Sequence, residues 1–95
     1  MTAYVIADIN VSDPGKYDEY RRQVAATIEK FGGRFLVRGG EHETLEGTWQ
    51  PGRLVLLEFP DMDALQAWYR SPEYAPLIKL RQAASSGDLV AMKGV

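Results

Sequence analysis

The sequence predicts an α+β fold of element order β-α-β-β-α-β, with a four-stranded antiparallel sheet in strand order 4-1-3-2 and the helices on one face. Three observations carry that expectation. Apolar and polar residues alternate with a period of two in four stretches, the pattern of half-buried strands. Two intervening stretches place apolar residues every three or four positions, the spacing of an amphipathic helix. Right-handed crossovers applied to that order favour this sheet over its alternatives. With 95 residues and no internal repeat, low-complexity segment or linker, the chain is expected to form one domain over 1–95.

The first strand runs from Ala3 to Val11, with Ala3, Val5, Ala7, Ile9 and Val11 on one side and Tyr4, Ile6, Asp8 and Asn10 on the other. Ser12-Asp13-Pro14 starts the first helix, because a polar side chain accepts orphan amide protons and Pro14 sits where its missing N–H does no harm. Tyr17, Tyr20, Val24, Ile28 and Phe31 form its buried stripe, and Gly32-Gly33 closes it. Arg34 to Glu46 reads as one long strand kinked at Gly39-Gly40, since paired glycines inside a strand pattern mark a bulge or bend. Gly47 to Gly52 is a loop, and Arg53 to Phe59, the most apolar strand, belongs in the middle of the sheet.

Asp61 is expected to cap the second helix, whose stripe is Met62, Leu65, Trp68 and Tyr69. The stretch WYRSPEY, residues 68–74, breaks it. Ser71 precedes Pro72 and is pushed out of the helical region, yet it can cap the next segment. Pro76 removes another backbone donor, so 72–75 is a loose or 3₁₀ turn before a short helix through Ala84. Ser85-Ser86-Gly87 is read as a turn and Asp88 to Val95 as the last strand.

Composition narrows the partners. A net charge of −2 with scattered lysines and arginines gives no reason to expect nucleic acid or an anionic membrane. The lack of cysteine excludes disulfides, thiolate metal sites and thiol catalysis. The longest strongly apolar run, Leu54 to Leu57, falls far short of the roughly 20 residues of a membrane-spanning helix. Met1-Thr2-Ala3 enters a strand without a signal-peptide pattern, so a cytoplasmic protein is expected.

Helices on one face leave Tyr4, Ile6, Leu36, Leu54, Leu56, Val90 and Met92 bare on the other. An apolar patch of that breadth marks an interface, and a homodimer with two sheets packed face to face would cover it. Asp8, Asn10, Glu58 and, depending on register, Arg34 or Arg38 share that side. Were the first and third strands parallel neighbours, Asp8 and Glu58 would lie near the same end and could act as a catalytic acid–base pair. The plainer alternative is an ion pair with an arginine at the rim of a dimer interface.

Arg38 is the candidate to bind an anionic group. His42, the single histidine, is a further ligand-binding candidate, but Glu41 and Glu43 point away from it in a strand and Glu46 lies roughly 13 Å along the chain. No metal site is expected. Trp68 falls on the helix stripe, where it is either core or pocket wall, and Tyr20 is a second candidate wall residue. The phenols of Tyr4, Tyr17, Tyr20, Tyr69 and Tyr74 each join an apolar body to a hydrogen-bonding tip. Neither a glycine-rich phosphate loop nor a serine–histidine arrangement with a glycine-flanked nucleophile is present.

The segments AYVIADINVSDPGKYDEY, GGRFLVRGG, LEGTW, RLVLLEFP, AWYRSPEY and GDLVAMKGV, in that order and spacing, resemble the small bacterial family known as domain of unknown function 1330. The match covers almost the whole chain. It implies a ferredoxin-like subunit assembled as a dimeric α/β barrel, in agreement with the bare apolar face. The family supplies no catalytic residues to carry over. Its wider superfamily includes cofactor-independent monooxygenases, small isomerases, haem-degrading enzymes and stress-responsive proteins, with the pocket generally between the sheet and helices of each subunit. His42, in an acidic stretch after a glycine pair, is a poor counterpart of a haem-ligating histidine, so no cofactor is expected.

The expected function is thus a homodimeric small-molecule-binding protein, extending to a cofactor-independent enzyme of monooxygenase or isomerase type. The alternative is a non-catalytic dimer that binds a metabolite or partner. An RNA-binding module shares the element order, but it would present aromatic rings amid basic surroundings on the bare face. Here that face is aliphatic apart from Tyr4 and carries carboxylates.

Overall fold

The computed structural model describes residues 1–95. Its elements are β1 (Ala3–Val11), α1 (Pro14–Lys30), β2 (Arg34–Arg38), β3 (Arg53–Phe59), α2 (Met62–Tyr69), α3 (Ala75–Ala84) and β4 (Ser85–Lys93). The strands form one antiparallel sheet in the order β2-β3-β1-β4, which is the expected order read from the other edge. No helix is long and apolar enough to cross a membrane.

Local chemistry sets the helix ends as expected. Asp13 accepts from the Lys16 amide at 3.2 Å and Asp61 from the Ala64 amide at 2.7 Å, each satisfying a donor that the helix itself leaves free. Ser71 is the hinge of WYRSPEY. Its hydroxyl donates to the Trp68 carbonyl at 2.8 Å, ending α2, and accepts from the Tyr74 amide at 3.1 Å, leading into α3. The stretch is therefore a buried joint, with Trp68, Ser71 and Tyr74 all packed inside.

Three local expectations are corrected. The long kinked strand to Glu46 ends at Arg38. Gly39 turns the chain at φ +72°, its amide bonds the Leu54 carbonyl at 2.8 Å, and the polar run beyond it has no apolar face to bury. Ser85-Ser86-Gly87 is not a turn but the start of β4, because the Ala84 carbonyl takes the amides of Ser12 and Asp13 and so brings α3 directly onto the end of β1. A bulge between Phe35 and Val37 shifts the face assignment in β2. Phe35 stays on the helix side and Arg38 joins it there, leaving Arg34 as the arginine of the bare side, while Val37 moves to the bare side beside Leu56.

Ala3, Val5, Ala7, Ile9, Leu57 and Phe59 meet Tyr17, Tyr20, Val24, Ile28, Leu65 and Trp68 in one core between sheet and helices. The other face is open. Val37, Leu56, Ile6 and Val90 lie in one row across all four strands, flanked by Arg34, Glu58, Tyr4 and Met92 in the next. Val90 is 54 % exposed and Met92 40 %, so this chain covers its own sheet on one side only.

Candidate functional site

The helix side of the sheet does not close completely. A chamber of about 30 Å³ remains between β1, β3, α1 and the α2–α3 joint, room for a water or two. Its walls are mainly hydrophobic and include Tyr17, Tyr20, Trp68 and Tyr74.

Trp68 and Tyr74 stack with ring centres 4.2 Å apart, and Tyr17 lies 5.6 Å from Tyr20. Helical spacing explains the grouping: Tyr17 and Tyr20 share the inner stripe of α1, and the Ser71 joint folds Tyr74 back under Trp68. The Trp68 indole donates to Thr27 Oγ1 at 3.0 Å, which fixes the ring plane. The hydroxyls of Tyr20 and Tyr74 sit 2.8 Å apart in the interior. Burial raises both phenols above their ordinary pKa, strongly for Tyr20, where the neighbouring Tyr74 adds to the effect, and less for Tyr74, where the Tyr20 hydrogen bond and Arg81 oppose it. Near neutral pH each keeps its proton and remains able to donate it in a hydrogen bond.

Four arginines, Arg21, Arg38, Arg53 and Arg81, line the same chamber, and no aspartate or glutamate does. Arg21 pairs with Asp18 at 3.3 Å, whereas the other ion pairs of the chain use Lys30 and Arg34. Arg38, Arg53 and Arg81 thus have no carboxylate partner. The Arg38 guanidinium lies 4.2 Å from the Phe35 ring centre and donates to the Arg21 carbonyl at 2.6 Å, while Arg53 lies 5.7 Å from the Tyr17 ring centre.

Of the residues singled out from sequence, the structure brings Tyr20, Trp68 and Arg38 together around this chamber. It separates the others from it. Asp8 and Glu58 are on the bare face, and β1 and β3 run antiparallel, with Asp8 opposite Leu54 and Glu58 opposite Tyr4. They stand roughly 13 Å apart along the strand direction, so no coupled acid–base pair forms. Parallel pairing was the condition for that pair; instead α1 carries the chain across so that β2 runs parallel to β1, and β3 lies between them antiparallel to both.

Each carboxylate is engaged elsewhere. Asp8 accepts from the Trp49 indole and the Gly52 amide, both at 2.9 Å, and these two bonds, the indole first, lower its pKa. Glu58 pairs with Arg34 at 2.9 Å on the bare face. His42 borders a separate open groove with Asn10, Gly39 and Gly40, and its Nε2 faces the Pro51 carbonyl at 3.1 Å. No three histidine or carboxylate side chains converge to hold a metal.

Arg53 and Arg81 were not singled out from sequence, although their positions carry a signal. Arg53 has the parity of Val55, Leu57 and Phe59, the inward face of β3. Arg81 stands between Leu77 and Ala84 at spacings of four and three, on the buried stripe of α3.

A family model described as "Domain of unknown function (DUF1330)" matches residues 2–95. No curated protein matches. Among solved structures, a protein of unknown function from Rhodopseudomonas palustris is 21 % identical, covering 99 % of this chain and 82 % of its own, at TM-score 0.78. The cofactor-independent oxygenase SnoaB from Streptomyces nogalater is 18 % identical over 99 % of this chain and 92 % of its own, at TM-score 0.65. A dimeric ferredoxin-like protein of unknown function from Jannaschia sp. CCS1 is 15 % identical over 99 % of this chain and 100 % of its own, at TM-score 0.67. At these identities the likeness shows the fold, which is ferredoxin-like.

Proposed function

The chain belongs to the DUF1330 family, and from that footing we propose that it is a homodimeric protein that binds a small organic molecule in the chamber between sheet and helices. The observation that carries this reading is the chamber itself. Stacked rings, two protonated phenols and unpaired arginines converge on a space that the core leaves unfilled. Trp68 and Tyr20 are its walls and Arg38 stands at its exposed edge. The bare row Val37–Leu56–Ile6–Val90 supports pairing with a second copy, as does the Jannaschia protein described as dimeric.

A second reading, catalysis without a bound cofactor, draws on the likeness to the Streptomyces oxygenase. In that reading the protic groups facing the ligand are Tyr20 and Tyr74, since Asp8 and Glu58 lie on the opposite face. The test is a thermal-shift screen of small organic molecules on the wild-type chain, followed by product analysis of each hit under air. A stabilising hit that returns unchanged supports binding alone. Conversion of a hit, abolished in Tyr20→Phe, supports the enzyme. Absence of any hit that moves the Trp68 indole signal would refute both.

A further inference from the structure

Arg81 is an unusual buried residue. It is 6 % exposed, it lines the chamber, and its Nε has no hydrogen-bond partner. The groups around its charge are the phenols of Tyr74, Tyr20 and Tyr69, with the Tyr74 hydroxyl near enough to interact with the guanidinium, and no carboxylate is among them. A guanidinium stays charged at any working pH, and a buried charge without a counter-ion costs several kcal/mol. Its place in the last turn of α3 offsets only part of that, since a helix C-terminus favours a cation by about 1 kcal/mol.

A second orphan of the same kind lies nearer solvent. Arg53 Nε is also buried without a partner, while its Nη2 reaches the Arg38 carbonyl at 3.4 Å. Space for that guanidinium is left by Gly39, where a Cβ would collide with it. Both free atoms are of the type that a carboxylate uses when it pairs side-on with arginine, through Nε–H and one Nη–H together.

Resting on the chamber being the ligand site, we propose that its ligand is an organic monoanion. A carboxylate head pairs with Arg81, and an apolar, preferably aromatic, body lies along Tyr17 and Tyr20 toward Arg53. The free chamber of about 30 Å³ holds the head group alone. A larger body is admitted by the long side chains of Arg38 and Arg53, which reach the surface beside it. Thirteen of the seventeen lining residues are hydrophobic, so an inorganic or polyanionic ligand would leave most of the wall unmatched.

Benzoate and its neutral isostere benzamide separate charge from shape. On the full wild-type chain, benzoate should raise the melting temperature and shift the Trp68 indole resonance while leaving that of Trp49 in place. Benzamide should bind at least tenfold more weakly, the equivalent of about 1.4 kcal/mol. Arg81→Met, which keeps the volume and removes the charge, should weaken benzoate at least tenfold and leave benzamide unchanged. Equal affinity for the two probes in the wild type would overturn the anion assignment while leaving the chamber reading intact, and so would undiminished benzoate binding by Arg81→Met. Failure of both probes to move Trp68 would overturn the aromatic-monoanion assignment, whereas the chamber reading falls only if no molecule of the wider screen moves that signal. The wild-type comparison decides the matter even if the variant does not fold.

Discussion

A charge at Leu56 tests the dimer directly. Leu56 lies in the middle of the bare face, opposite Ile6 on β1 and Val37 on β2, and is partly exposed in the single chain. In a face-to-face dimer an aspartate there must remain charged without a partner or take up a proton. Protonation at pH 7 of a group whose ordinary pKa is about 3.9 costs about 4 kcal/mol, and leaving an unpaired ion buried costs at least a comparable amount. Two-fold symmetry places the substitution on both subunits, so the dimer loses about 8 kcal/mol, more than five powers of ten in its dissociation constant. Lost burial of each leucine adds about 1.5–3 kcal/mol per copy. The subunit itself is spared, because position 56 already touches water. Sedimentation velocity over a micromolar concentration series should show a wild-type dimer and a Leu56→Asp monomer with an unchanged far-UV circular dichroism spectrum. A variant that sedimented as wild type would refute the interface.

Single contacts carry the remaining predictions. Trp68→Ala should lose about 3–5 kcal/mol in denaturant unfolding, since the ring is 1 % exposed and its removal opens a cavity beside Phe59 and Tyr74. Gly87→Ala should cost about 1–3 kcal/mol or more, because its Cβ would drive into the Asp8 carbonyl, which the β1–β4 ladder holds rigid. Asp8 has a folded-state pKa below its ordinary 3.8, so its contribution is complete above that value and is lost as pH falls through the lower folded value. In an acid titration Trp49 fluorescence should therefore hold steady until below pH 3.8, and a change already complete at about pH 5 would contradict this. Asp8→Ala and Glu58→Ala should alter loop order or assembly but not ligand affinity, which isothermal titration with benzoate would measure; a tenfold loss in either would return that residue to the site.

The elements and their order were legible in the sequence because each depends on periodicity and on capping within a few residues. The stripe of α1, the Asp61 cap and the break at Ser71-Pro72 all have local causes. So does the bare apolar face, which emerges once the alternating strands are laid in one sheet. Elsewhere a local pattern underdetermined the outcome. Gly39-Gly40 is compatible with a kink or a strand end, and the choice fell to the Leu54 carbonyl, which captures the Gly39 amide from another strand. Ser85-Ser86-Gly87 looks like a turn in isolation, yet the end of β1 supplies it with a partner strand.

The site divides along the same line. Sequence nominated Tyr20, Trp68 and Arg38 because aromatic stripes and lone arginines are visible in one dimension. It could not separate them from Asp8, Glu58 and His42, which belong to the same alternating segments but point to another face or lie beyond the strand. The parity of Arg53 and the helical spacing of Arg81 were also present in the chain. Their meaning depends on what stands opposite, and only packing showed that no carboxylate does. Residue type and spacing are written in the chain, and they fixed the elements and the oily face. Charge balance in a buried space is a sum over segments distant in sequence, and only the tertiary structure could make it.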